Sequence, residues 1–187
     1  MLGHSLQKAI LRREIMSVLQ KTPPEVFVEA GLIIKNSVAA WLSQPSSKPC
    51  LKLACFTSFK DEIDTKPLNE FLFATGLSRC FPLVAPSKTL EFIDDDKSPV
   101  ELGQMDVVFV PGLAFGLDGT RLGRGLGCYD RFLARLVTLS KKPLLVALAL
   151  DCQVKKSIPV EAHDIPMDYL CTPSLGMHKT KNEENHD

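Results

Sequence analysis

The stretch MDVVFVPG, residues 105–112, places Val107, Val108, Phe109 and Val110 in an unbroken apolar run that stops at Pro-Gly. Four consecutive apolar residues, three of them β-branched, read as a strand covered on both faces, because a half-exposed strand would alternate with polar residues. PLLVALAL (143–150) repeats the pattern, and a helical segment from about Cys128 to Leu139 lies between the two. LKLACFTS (51–58) is a third buried strand, followed by a helix that Asp64 or Thr65 caps, that tolerates Pro67 in its first turn and that ends at Gly76. Working toward the N-terminus, Leu11, Ile15, Val18 and Leu19 mark a helix over 5–21, and Pro23 and Pro24 separate it from a second over 25–42. QPSSKP (44–49) reads as a loop, RCFPLVAP and TLEFID as short strands whose prolines suggest an edge or a strand end. After Asp151 the pattern is loop-rich, with a last short strand near Tyr169. Helices alternating with buried strands predict an α/β fold: a three-layer sandwich with a mostly parallel sheet flanked by helices on both faces. One domain is expected over residues 1–175, with a disordered tail over 176–187.

Bulk composition narrows the function classes. The 22 basic residues balance 22 acidic ones, so no global field favours nucleic acid or an anionic membrane, and any anion must be caught locally. The longest strongly apolar run, Leu144–Leu150, is too short to span a bilayer. MLGHSLQKAILRREIM lacks the apolar core and cleavage site of a secretory signal, so a cytoplasmic protein with reduced thiols is expected. The six cysteines form no CxxC pair, which makes a zinc site a poor reading.

Ligands of such folds bind beyond the carboxyl ends of the strands. That rule nominates the loops after residues 58 and 112 and the segment after 150. Between the second and third lies GTRLGRGLGCYDRFL (119–133), with four glycines and three arginines in its first thirteen residues. It matches neither GxxxxGK nor GxGxxG. The physics of an anion cradle is present without them: glycines that bring backbone N–H groups together, a helix N-terminus directly after, and Arg121, Arg124 and Arg131 for charge. A mobile surface loop is the plainer alternative. Asp130, in the first helical turn, suits the helix dipole or a magnesium ion equally. Lys8 and Arg12 lie four residues apart beside the apolar stripe of the first helix, where snorkelling, an ion pair or a ligand would explain them. Glu62, with Asp61 and Asp64, lies past the first strand, either facing a ligand amine or amide or forming a solvated acidic loop. His163 and Asp164 in EAHDIPMD do not make a triad.

Together, VPGLAFGLDGTRLGRGLGCYDRFL, KAILR (8–12), FTSFKDEIDT and AHDIPMD resemble, in order over about residues 5–172, the 5-formyltetrahydrofolate cyclo-ligase family. Its hallmark is a strand, Pro-Gly, an aromatic residue, then RLGxGxGxYD and a helix. The resemblance implies ATP-dependent conversion of 5-formyltetrahydrofolate to 5,10-methenyltetrahydrofolate, with Mg²⁺ as cofactor and ADP and phosphate as products. It implies a monomer whose partners are ATP and the reduced folate, with no nucleic acid or membrane. By position, Lys8, Arg12 and the run Arg121, Leu122, Gly123, Arg124, Gly125, Leu126, Gly127, Cys128 and Tyr129 would bind ATP. Arg12, Thr57, Glu62, Arg124 and the backbone from Gly125 through Leu126 and Gly127 to Cys128 would meet the folate. Arg124 and Asp130 would be catalytic, and Asp130 with Asp164 would support the metal. Three departures stand out: Cys128 replaces a Tyr, Leu126 replaces a residue that is often basic, and the segment between RCFPLV and MDVVFV lacks the family's Ile-x-x-Pro. A noncatalytic nucleotide- or folate-binding module is the alternative function, and RNA binding through the three arginines a weaker third that the balanced charge opposes.

Overall fold

The computed structural model describes residues 3–44, 51–161 and 164–180. His163, residues 181–187 and all but Gln44 of the QPSSKP loop lie outside the described residues. The chain runs α1 (His4–Lys21), α2 (Pro24–Leu42), β1 (Lys52–Ala54), α3 (Lys66–Ala74), β2 (Ser78–Val84), β3 (Leu90–Asp94), β4 (Val107–Val110), β5 (Ala114–Gly116) and β6 (Arg121–Leu122). It continues through α4 (Cys128–Leu136), β7 (Leu144–Leu148), β8 (Val154–Lys155), β9 (Tyr169–Thr172) and β10 (Gly176–Lys179). No helix among the described residues is long and apolar enough to cross a membrane.

The main sheet has the order β10-β9-β7-β4-β1-β2-β3. Its five central strands are parallel, and the two edge strands, β10 and β3, are antiparallel to their neighbours. Side chains alternate along each buried strand, so both faces carry core. Val107, Phe109, Val146 and Leu148 join Ile15, Leu19, Ile34 and Leu72 on the side of α1, α2 and α3. Val108, Val110, Leu145 and Ala147 meet Phe132, Leu133 and Leu136 of α4 on the other. The continuous apolar runs thus have helices on both sides to bury them, as expected of a three-layer sandwich.

Several local outcomes differ from the sequence reading for identifiable reasons. The first strand is shorter than residues 51–58, because the Phe56 carbonyl leaves the ladder and accepts from Thr65 Oγ1 (2.9 Å) and Asn69 Nδ2 (3.1 Å). Thr65, used this way, makes no side-chain cap for α3; the Asp64 carboxylate accepts the Lys66 N–H instead, at 2.9 Å. Pro82 sits inside β2, but past the last residue that β1 pairs with, where that side of the strand is free of ladder bonds. Gly176–Lys179, expected to belong to a disordered tail, instead pair with Tyr169–Thr172 as an edge strand. A small second sheet has the order β6-β5-β8, with strands too short to show in the sequence pattern. On α1, Val18 is 40% exposed while Lys8 is 5% exposed, so the inward line is Lys8, Ile15 and Leu19.

Topology positions the site. From β1 the chain moves one way through the sheet to β2 and β3, and from β4 it moves the other way to β7, β9 and β10. Adjacent β1 and β4 therefore flank the point where the winding reverses, and their carboxyl ends splay apart into a crevice.

Candidate active site

A cavity of about 440 Å³ opens at that crevice. The turn after β1 supplies Phe56, Thr57, Ser58, Phe59 and Glu62; the end of β4 supplies Pro111 and Gly112. The hairpin of β2 and β3 contributes Phe81, Pro82, Val84 and Leu90. The glycine segment closes the remaining side with Arg121 and with Gly123 through Asp130. Two of the three nominated strand ends therefore converge, and the segment after residue 150 does not.

The glycine segment is a shaped loop. Gly125 and Gly127 have φ of +96° and +70°, a region that side chains disfavour, and they turn the backbone over the cavity. Gly127 is also the N-cap of α4 and provides no side-chain cap for the first-turn amides, and Cys128, Tyr129 and Asp130 of that turn line the wall. Arg12 reaches from α1 to donate from Nε to the Gly123 carbonyl at 2.9 Å, which ties the helix to the loop.

The three arginines of the segment have separate tasks. Arg121 is buried, donates from Nη1 to the Pro111 carbonyl at 3.1 Å, and pairs through Nη2 with Asp130. It stitches the end of β4 to α4. Arg131 does not line the cavity and donates to the Lys88 carbonyl at 2.8 Å, holding the tip of the β2–β3 hairpin. Arg124 lies in the cavity wall, with Nη1 2.8 Å from Asp61 Oδ2 and Nε 3.2 Å from Glu62 Oε1. Its Nη2 is buried without a hydrogen-bond partner. The hydrogen bond from Arg124 holds the Asp61 carboxyl below its ordinary pKa, against the effect of partial burial. Glu62 is buried, and its second oxygen accepts the Phe59 N–H at 3.0 Å, so it is not part of a solvated loop.

Lys8 takes the ion-pair alternative. Its Nζ lies 2.7 Å from Glu161 Oε2 and 2.6 Å from Asp164 Oδ2. Burial disfavours its charge, but the bonds to and attraction of Asp164 and Glu161 prevail and raise its pKa above the usual 10.5. Asp164 Oδ2 also accepts the Glu161 N–H at 2.8 Å. Lys8, Arg12, Leu122 and Asp164 are absent from the cavity wall; Leu122 is buried in the core on the α1–α3 side. Thr57 lines the cavity and is exposed. No cluster of three or more His, Cys, Asp or Glu side chains suited to a metal occurs among the described residues. Asp130, with a side chain 43% exposed at the wall, suits magnesium, which is held by one or two carboxylates plus phosphate oxygens; Asp164, with a side chain 15% exposed and away from the wall, suits it less well.

Unforeseen in the sequence were the apolar walls: Phe56, Phe59, Phe81, Pro82, Val84 and Leu90. Phe59 is 72% and Val84 65% exposed, and two large apolar side chains held open at a cavity mouth suit a flat, largely apolar ligand. The site thus joins an amide-rich, arginine-bearing half to an apolar half with one buried carboxylate. The family model for 5-formyltetrahydrofolate cyclo-ligases matches residues 4–173, which span every cavity residue.

The chain belongs to the 5-formyltetrahydrofolate cyclo-ligase family.

Among relatives of the cyclo-ligase, the Escherichia coli K12 5-formyltetrahydrofolate cyclo-ligase is 34% identical over 172 residues, covering 81% of this chain and 92% of that one. The mouse protein of the same name is 28% identical over 184 residues, covering 84% and 89% respectively. The solved 5,10-methenyltetrahydrofolate synthetase of Mycoplasma pneumoniae superposes with a TM-score of 0.77 at 25% identity, over 89% of this chain and 98% of that one. The Aquifex aeolicus synthetase gives 0.75 at 25% identity, over 96% of both.

Proposed function

We propose that this cyclo-ligase converts 5-formyltetrahydrofolate to 5,10-methenyltetrahydrofolate at the cost of one ATP. The observation that carries the reading is the two-part cavity: a positive-φ glycine turn and helix N-terminus on one wall, apolar side chains and buried Glu62 on the other. Phosphoryl transfer needs positioning and charge stabilisation more than a protein nucleophile. Amides of Gly125 through Tyr129 suit the triphosphate, with Arg12 and Arg121 bracing the loop that presents them. Lys8, held by Glu161 and Asp164, would meet phosphate only by exchanging one of those carboxylates. Phe59, Phe81 and Val84 suit the ring system of a reduced folate, and Glu62 and Thr57 its amine and amide edge.

The formyl oxygen attacks the γ-phosphorus as ADP leaves, giving an iminium phosphate. The second folate nitrogen, N10, then adds to the formyl carbon, closing the ring. Loss of phosphate, carrying the formyl oxygen, and of the N10 proton yields the methenyl product. Arg124 stands between the two halves and stabilises the charge on the transferring group. Asp130, with support from Asp164, would hold magnesium, which would supply charge neutralisation at the phosphates. The protein acts as a cytoplasmic monomer, without nucleic acid or membrane partners. The test is direct: purified protein with ATP, Mg²⁺ and 5-formyltetrahydrofolate generates the methenyl absorbance band. ATP or folate binding by calorimetry with no product formed would instead support a noncatalytic binding module.

A further inference from the structure

Arg124 is held by two carboxylates of different standing. Glu62 lines the cavity and is open to competition from a ligand; Asp61 does not line it, and among the described residues its carboxylate is bonded to Arg124. Both come from one tight turn, in which the Glu62 N–H donates to the Phe59 carbonyl at 3.0 Å and the Phe59 N–H returns to Glu62 Oε2 at 3.0 Å. The turn is thus braced independently of Asp61, whose side chain serves the guanidinium.

A guanidinium is a rigid planar fork, so fixing two of its nitrogens fixes the third. Here Nε and Nη1 are taken by Glu62 and Asp61, and Nη2 is the nitrogen with no partner. A buried charged donor without an acceptor is costly, and in the wall of a ligand cavity a ligand oxygen is the natural acceptor. When a folate engages Glu62, the grip on Nε weakens. The bond from Nη1 to Asp61 then alone keeps the fork from turning.

We infer that Asp61 is a positioning residue for the cyclisation: it acts through Arg124, orienting Nη2 toward the oxygen that passes between the γ-phosphorus and the formyl carbon. The inference rests on the reaction proposed above. It has a particular kinetic signature, because Asp61 also adds a negative charge near a triphosphate. Removing that charge favours ATP binding while misorienting the arginine, so KM for ATP and kcat both fall. A residue that merely supports the fold would lower kcat without tightening ATP.

The experiment compares Asp61→Asn, Asp61→Ala, Arg124→Ala and the double variant Asp61→Ala/Arg124→Ala with wild type, with Tm measured alongside. Asp61→Ala is expected to lower kcat about 100-fold, the cost of roughly 1 Å misplacement at a reacting centre. Asp61→Asn, which keeps an acceptor but not the charge, is expected to stay within about tenfold of wild-type kcat, with KM for ATP lowered about threefold. With Arg124 already removed, Asp61→Ala should change kcat by less than about twofold, because the two act as a unit. Wild-type kcat in Asp61→Ala, the same 100-fold loss in the Arg124→Ala background, or a KM for ATP that rises in Asp61→Asn would each overturn the inference. If wild type forms no methenyl product, the reaction assignment itself has failed, which is a separate and visible result.

Discussion

Gly31→Ala offers a sensitive probe of how the fold holds the site, because its local and tertiary effects oppose each other. Gly31 lies inside α2, where alanine is intrinsically preferred by about 1 kcal/mol. A Cβ there would stand 2.1 Å from the Asp64 carbonyl oxygen, 3.0 Å from its carbon and 3.3 Å from Asp64 Cβ. Backbone cannot rotate aside as a side chain can, so helix and turn must separate by more than about 1 Å to reach ordinary packing distance. The same displacement strains the bond from the Asp64 N–H to the Phe27 carbonyl, now 3.1 Å. Overpacking of this kind costs about 1–3 kcal/mol, and the helix preference offsets part of it. The expected net destabilisation is therefore about 0–2 kcal/mol. The kinetic effect should be larger, since the turn carries Asp61 and Glu62 and a 1 Å shift at a reacting centre costs about 100-fold. Urea denaturation and steady-state turnover of the folded variant provide the two numbers. A variant that gains stability and keeps wild-type kcat would refute the argument, showing that contact with α2 does not set the position of the turn.

Arg124→Ala should lower kcat by about 100- to 1,000-fold, the scale of one lost transition-state donor. Its stability loss should be only about 1–2 kcal/mol, because Glu62 keeps the Phe59 N–H and the unpartnered Nη2 disappears; denaturation that shows a larger stability loss and little kinetic loss would make the arginine structural. Lys8→Met should destabilise by about 1.5–3 kcal/mol at neutral pH. Because the folded pKa of Lys8 is raised, its contribution is fully present below the unfolded value near 10.5 and is lost as pH rises through the folded one. Urea titrations should accordingly show the gap between wild type and Lys8→Met narrowing above that pH. Chelation of magnesium should abolish turnover and its return restore it, while Asp130→Asn should raise the magnesium concentration needed for half-maximal rate.

The layered fold was legible because Val107–Val110 and Leu144–Leu148 are continuous apolar runs rich in residues that suit a strand covered on both faces. β10 escaped notice because GMHK is a half-exposed edge with no alternation, defined by its pairing to β9 rather than by its own residues. The strands of the small sheet are two or three residues long, below any periodicity. Around the cavity, the glycine segment announced itself through backbone chemistry, whereas the partners of its arginines did not. Arg121, Arg124 and Arg131 are identical in type, and tertiary placement alone sends one to Pro111 and Asp130, one to Asp61 and Glu62, and one to the Lys88 carbonyl. Phe59 and Val84 were likewise unremarkable in sequence, since an apolar residue left exposed at a cavity mouth cannot be told from a core residue without the fold.

The central claim is that the site joins phosphoryl transfer to ring closure through the formyl oxygen. Turnover of 5-formyltetrahydrofolate carrying ¹⁸O in the formyl group tests it most directly, with the released phosphate analysed by mass. The account predicts one labelled oxygen in each inorganic phosphate formed alongside methenyl product. Methenyl product accompanied by unlabelled phosphate would contradict it.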